Sequence, residues 1–180
     1  MDKSFFVKVL SFCTPLLVLF FFLPSPVHAT TSGSNSPGTM ADDATVGTVT
    51  WSSTDNAKVS DDAYSTNVIT DGEGGGATTH YLKATNFGFS IPTGATINGI
   101  LVEFEAKTAA VSATWSNVRI VKGGTISATT KASASLVITT TEAYSSVPTS
   151  DAETDLWGET WTAEDINSST FGVVGSIKTA

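Results

Sequence analysis

The stretch "INGILVEFEAK", residues 97–107, limits the fold more than any other part of the chain. Ile100, Val102, Phe104 and Ala106 share one parity, and Leu101, Glu103, Glu105 and Lys107 share the other. Period two with the charges on a single face describes a strand packed on one side and wet on the other. A second such run, "TNFGFSIP", puts Phe87, Phe89 and Ile91 on a common face, and Pro92 ends it because proline cannot donate to a ladder. "PTGAT" and "NG" supply turn chemistry between the two runs. Further strands are expected at Val46–Trp51, Val118–Lys122, Leu136–Thr140 and Phe171–Ile177, and "YLKATNF" reads as a strand following His80. Glycine-rich breakers, "DGEGGG" and "KGG", separate them. Abundant threonine suits pleated surfaces and disfavours helix. Only "WTAEDINSS" looks helical: Thr162 with Asp165 forms a capping pattern, enough for one short turn near 162–167. The expected fold is all-β, an antiparallel β-sandwich of jelly-roll type.

The amino-terminal segment has a different character. Lys3 and Lys8 precede the apolar run "VLSFCTPLLVLFFFLP", and "SPVHA" then places Val27 and Ala29 at small-residue cleavage positions. That is the layout of a secretory signal peptide over residues 1–29, cleaved after Ala29. An uncleaved anchor fits less well, because Pro15 and Pro24 interrupt a run shorter than the roughly 20 residues a spanning helix needs. Residues 30–42 begin with "TTSGSNSPGTM" and read as a flexible leader, and residues 43–180 as one domain. Cys13, the single cysteine, lies in the signal segment behind Phe12, where lipidation is not expected, so the processed chain has no disulfide. Processing leaves 16 acidic and 7 basic residues, a net charge of −9. That balance argues against nucleic acid as a partner, since phosphate binding needs a basic face.

The blocks "WSSTDNAKVSDDAYST", "FGFSIPTGATINGILVEFEA", "VRIVKGG" and "DLWGETWTAEDINSSTFGV" together resemble a β-sandwich structural module. Such modules occur in secreted prokaryotic surface proteins and in phage tail or virion-associated proteins. The resemblance spans residues 43–177 and implies an extracellular structural or surface-binding part, with no catalytic residues to transfer. In modules of this kind a further strand follows the "FGV" strand, with alternating valine and tyrosine; here the sequence stops at Ala180. The expectation is either a truncated reading frame or an open sheet edge completed by a neighbouring subunit, which would make the chain a homo-oligomer.

Catalytic material is sparse. His80 is the one histidine of the processed chain, and no Gly-x-Ser-x-Gly elbow accompanies it. Glu103 and Glu105 share a strand face, but their alternation with the apolar set makes them a solvated surface rather than a glycosidase pair. Two acidic loops, with Asp55, Asn56, Asp61 and Asp62 in one and Asp151, Glu153 and Asp155 in the other, offer hard oxygen ligands. No cofactor is expected; a structural calcium is the alternative, against which turn-forming Asp and Asn explain the same residues. Trp157 and Trp161 flank Gly158 and form the candidate ligand-binding pair, a sugar-stacking platform, unless they anchor the core with Trp51 and Trp115. Asn167 heads an Asn-Ser-Ser acceptor. The expected role is a non-catalytic structural or adhesive module, with a protein or polysaccharide surface as partner and no membrane after cleavage. A carbohydrate-binding module is the alternative.

Overall fold

The computed structural model describes residues 3–13, 30–69 and 76–179. Its strands are β1 (Lys3–Cys13), β2 (Thr30–Thr31), β3 (Thr39–Asp43), β4 (Tyr81–Thr85), β5 (Ala95–Ala106), β6 (Ala113–Lys122), β7 (Thr125–Ile126), β8 (Val137–Ile138), β9 (Ala143–Val147) and β10 (Gly172–Thr179). A 3-10 turn covers Thr54–Lys58, and the helix α1 covers Ala163–Asn167. One sheet runs β2-β1-β5-β9 and the other β3-β4-β10-β6-β7, with β8 added against the start of β6. Every strand pair is antiparallel, so the all-β expectation holds. Among the described residues, no helix is long and apolar enough to cross a membrane.

The core lies between the two sheets. Ile100, Val102 and Phe104 of β5 meet Val118 and Ile120 of β6 and Val173 and Ile177 of β10 in one buried cluster. The Phe104 and Trp115 rings lie 4.3 Å apart across it. β5 changes phase midway: Ala95 and Ile97 are buried, and burial then resumes at Ile100, Val102, Phe104 and Ala106. The cause is a β-bulge. Leu10 pairs with Gly99 and Ser11 with Ile97, which leaves Asn98 unopposed and turns both isoleucines inward. Gly99 at that point admits the loop after β9, whose Ala152 carbonyl oxygen would lie 2.2 Å from an added Cβ.

β10 is buried on both faces. Val173 and Ile177 enter the main core, while Val174 joins Tyr81 and Val121 in a smaller cluster on the other face of the sheet. A largely apolar run is therefore what this strand requires, and "FGVVGSI" supplies it, with the buried Ser176 satisfied by Ser116 and Asn117. Gly175 is obligatory for a different reason: an added Cβ would stand 2.4 Å from the Trp115 ring.

Several expected elements differ. Val46–Trp51 forms only isolated bridges, Val49 with Thr79 and, just beyond, Ser52 with Thr66. Gly47, at φ 68°, turns the chain so that the Thr48 and Val49 N–H groups both reach the Thr78 carbonyl instead of entering a ladder. Phe87, Phe89 and Ile91 are buried as their period predicts, yet among the described residues no strand pairs with them. Leu136–Thr140 shortens to β8. β3 starts at Thr39, inside the segment read as leader, because Met40 is buried and its backbone pairs with Ala84. β9 is a strand without an apolar alternation, specified by its partner β5. α1 carries the expected capping box, with Thr162 Oγ1 accepting from the Asp165 N–H and Asp165 returning the bond. Lys3–Cys13, read as the head of a signal peptide, lies along β5. Pro15, Pro24, Val27, Ala29 and the "DGEGG" breaker are outside the described residues.

Candidate functional site

The outer face of the β5–β9 sheet carries Glu103 and Glu105 with Lys107. Glu105 accepts a 2.7 Å hydrogen bond from Ser60, whose hydroxyl also lies 3.1 Å from the Tyr144 hydroxyl. Lys107 donates to Tyr64 Oη at 2.7 Å and to Glu142 at 3.0 Å, with its ammonium 4.2 Å from the centre of the Tyr64 ring. Lys8 of β1 stands 3.3 Å from Glu103. A glycosidase pair needs one carboxyl held protonated beside another held ionised. Here Glu105 accepts from Ser60 and Glu103 from Ser146 at 3.5 Å, so each glutamate faces a hydroxyl donor of the processed chain as well as, at Glu103, the Lys8 of the segment before Ala29. The face is polar and charged; among the described residues Tyr144, at 55% exposure, is its large exposed aromatic residue.

His80 sits at the junction of β3 and β4. Its Nδ1 is 2.8 Å from Asp42 Oδ2, while Asp42 Oδ1 accepts the Trp51 backbone N–H at 2.8 Å. The Trp51 indole N–H then donates to the His80 carbonyl at 2.9 Å, which closes the ring of contacts. A carboxylate–histidine pair is two-thirds of a hydrolytic triad. No described residue hydrogen-bonds Nε2, and the pair instead ties the buried Trp51 to two strands.

The two candidate tryptophans separate. Trp157 is fully buried, its indole N–H donating to the Ile100 carbonyl at 2.8 Å, and its ring belongs to the core. Its φ of 60° is the left-handed region, and the turn is held by its backbone N–H on Asp155 Oδ1 at 2.7 Å. Both ring faces are therefore lost to a sugar. Trp161 is half-buried, edge-on to Phe171 at 5.5 Å, with the Lys122 ammonium 5.2 Å above it. Trp115, deep in the core, reaches a shallow cleft lined by Ser116, Ala132, Ser133 and Lys178.

The acidic loops serve turns and ion pairs. Asp55 pairs with Lys58 at 2.8 Å, Asn56 donates to the Tyr64 carbonyl, Asp61 caps the Ala63 N–H, and Asp62 lies near the Tyr64 hydroxyl. Asp155 holds Lys131 at 2.6 Å, whereas Asp151 and Glu153 stay exposed. Among the described residues, no three His, Cys, Asp or Glu side chains converge as metal ligands would.

Asp43 and Asp165 are the perturbed carboxylates. Burial raises the Asp43 pKa, but hydrogen bonds from Thr45 and Lys83 outweigh it and hold the group below the usual range. Asp165 is lowered in the same way, burial being overcome by the Thr162 N–H and by Lys122. Both are structural: one fastens β3 to β4, the other fastens α1 to β6.

Asn167 matters more than its acceptor motif suggests. Its Oδ1 accepts the Ile91 N–H at 2.7 Å and its Nδ2 donates to the Ile91 carbonyl at 2.8 Å. One side-chain amide thus satisfies both backbone groups of Ile91, while the Phe87 carbonyl at the start of "FGFSI" accepts from Asn35 Nδ2 at 2.8 Å. A sequence search for turns cannot find the Asn167 contact, because Ile91 lies 76 residues away. No known protein family, curated protein or solved structure matches the chain.

Proposed function

We propose that this chain is a secreted, non-catalytic structural or adhesive module, released after Ala29 and working at a cell surface, an extracellular fibre or a virion. The observation that carries the reading is the use made of charge. Lys83–Asp43, Lys107–Glu142, Lys122–Asp165 and Lys131–Asp155 each tie separate strands or loops together at 2.6–3.3 Å. Charged side chains spent on joining elements suit a scaffold better than a reaction centre. The amino-terminal layout supports secretion, and the acidic surface supports solubility outside the cell. The paired antiparallel sheets accord with a jelly-roll-type sandwich, and the resemblance to surface and virion modules points the same way.

A carbohydrate-binding role is the second reading, favoured only by the half-buried Trp161 beside Lys122. The test is expression of the full chain in a secreting host, followed by binding of the labelled product to source-type surfaces and to a glycan array. The proposal expects an amino terminus at Thr30 and surface binding that survives Trp161→Ala. Retention inside the cell with Met1 intact contradicts it, and glycan binding abolished by Trp161→Ala shifts the account to the second reading.

A further inference from the structure

We propose that processing opens the β5 edge as a strand-acceptor site. The partner it fits is an extended segment of another polypeptide, about eleven residues long, apolar opposite Ile100, Val102 and Phe104 and basic opposite Leu101. The proposal rests on the cleavage after Ala29 argued above.

β5 is edged on one side by β9 over Val102–Ala106, and ahead of that by the following loop, where the Ile100 N–H donates to the Asp155 carbonyl at 3.0 Å. On the other side lies β1, paired from Lys3 with Ala106 to Cys13 with Ala95. Alternate residues of an antiparallel strand direct their backbone groups to opposite neighbours. Since Ile100 turns toward the Asp155 side, Leu101, Glu103 and Glu105 turn toward β1. β2 pairs only with β1, so cleavage after Ala29 leaves this sheet, among the described residues, as β5 and β9 against the wider second sheet. The N–H and carbonyl groups of Leu101, Glu103 and Glu105, and those ahead of the bulge that face β1, then lose their partners along a strand whose Ile100, Val102 and Phe104 form the core.

The present occupant defines the chemistry of the seat. Its register sets Phe5, Val7 and Val9 opposite Phe104, Val102 and Ile100, and Lys8 opposite Leu101. The Lys8 ammonium reaches diagonally to Glu103 at 3.3 Å. A second copy is the poorer donor: its own β5 brings Glu103 and Glu105, and its leader, "TTSGSNSP", has no apolar alternation. Until it is removed, Lys3–Cys13 keeps the edge covered against untimely pairing.

The test uses the full chain with a protease site in place of residues 18–23, cut after folding so that Lys3–Cys13 stays bound without a covalent link. A labelled Lys3–Cys13 peptide carrying Cys13→Ser is then offered in excess, beside a scrambled control. The labelled peptide should exchange into the seat and the control should not. A Lys8→Glu peptide should compete about two- to five-fold less well, since the ion pair is partly exposed. Stripping the segment should speed hydrogen exchange at the Leu101, Glu103 and Glu105 amides about ten-fold or more.

Equal entry of the scrambled peptide overturns the proposal. So does protection of those three amides after stripping, whether the seat is refilled by the same chain or by a second copy. Amino-terminal sequencing of the secreted protein separates the two levels: an uncut Met1 end refutes processing, while the exchange result judges the seat.

Discussion

Replacing Trp157 with alanine decides whether the "WGETW" loop is core or platform. The side chain is fully buried and its N–H satisfies the Ile100 carbonyl at 2.8 Å. Truncating a buried tryptophan costs about 3–5 kcal/mol, including the cavity and the orphaned acceptor. A domain of this size has only about 5–15 kcal/mol to lose. With about 4 kcal/mol lost and a urea slope of about 2 kcal/mol per M, the midpoint should fall by about 2 M. Trp157→Phe retains most of the ring and removes the donor, and should cost about 1–2 kcal/mol. Equilibrium urea unfolding followed by far-UV circular dichroism reads both variants, and the phenylalanine form answers the question even if the alanine form does not fold. A cost below about 1 kcal/mol for Trp157→Ala, together with lost glycan binding, would refute the burial argument and restore the stacking platform.

Asn167→Ala should destabilise by about 1–3 kcal/mol by stripping both hydrogen bonds from Ile91, and should loosen exchange at the Ile91 amide; Asn167→Asp keeps the acceptor and should retain that amide's protection. Gly175→Ala drives a Cβ into the Trp115 ring and should cost about 1–3 kcal/mol by thermal unfolding, against little change for Gly33→Ala, where nothing lies within 4 Å. Asp43 and Asp165 titrate below the ordinary carboxylate value of 3.8 in the folded protein, so their contribution is complete above that pH and disappears as pH falls through the folded value. Stability measured between about pH 5 and 2 should therefore drop toward acid, with a shallower slope in Asp43→Asn.

The strands legible in the sequence are those whose burial alternates or is continuous. β5 announces itself by its charges, β10 by the apolar residues of "FGVVGSI", and α1 by its capping pair. What was not legible depends on distant partners. β9 and β3 exist because β5 and β4 offer them a ladder, and their own residues, "AYSSV" and "TMADD", carry little signal. The "FGFSI" run shows the reverse case: its period correctly marks burial, yet its Ile91 is bonded by the Asn167 side chain and its Phe87 carbonyl by that of Asn35. The phase change at Asn98–Gly99 also escapes a strict period-two reading, since a bulge needs the partner strand to reveal it. Among the candidate site residues, Trp157 and Trp161 flank the same glycine, but a left-handed turn sends only the first fully inward. The pairing of His80 with Asp42 spans 38 residues and follows from the β3–β4 register, which no local motif encodes.

The most direct measurement is the intact mass and assembly state of the native protein recovered from outside the producing cell. The account predicts an amino terminus at Thr30 and a protein held in a larger surface or particle assembly, with the β5 edge covered by a partner strand. A chain found inside the cell with residues 1–29 still attached and no partner would contradict it.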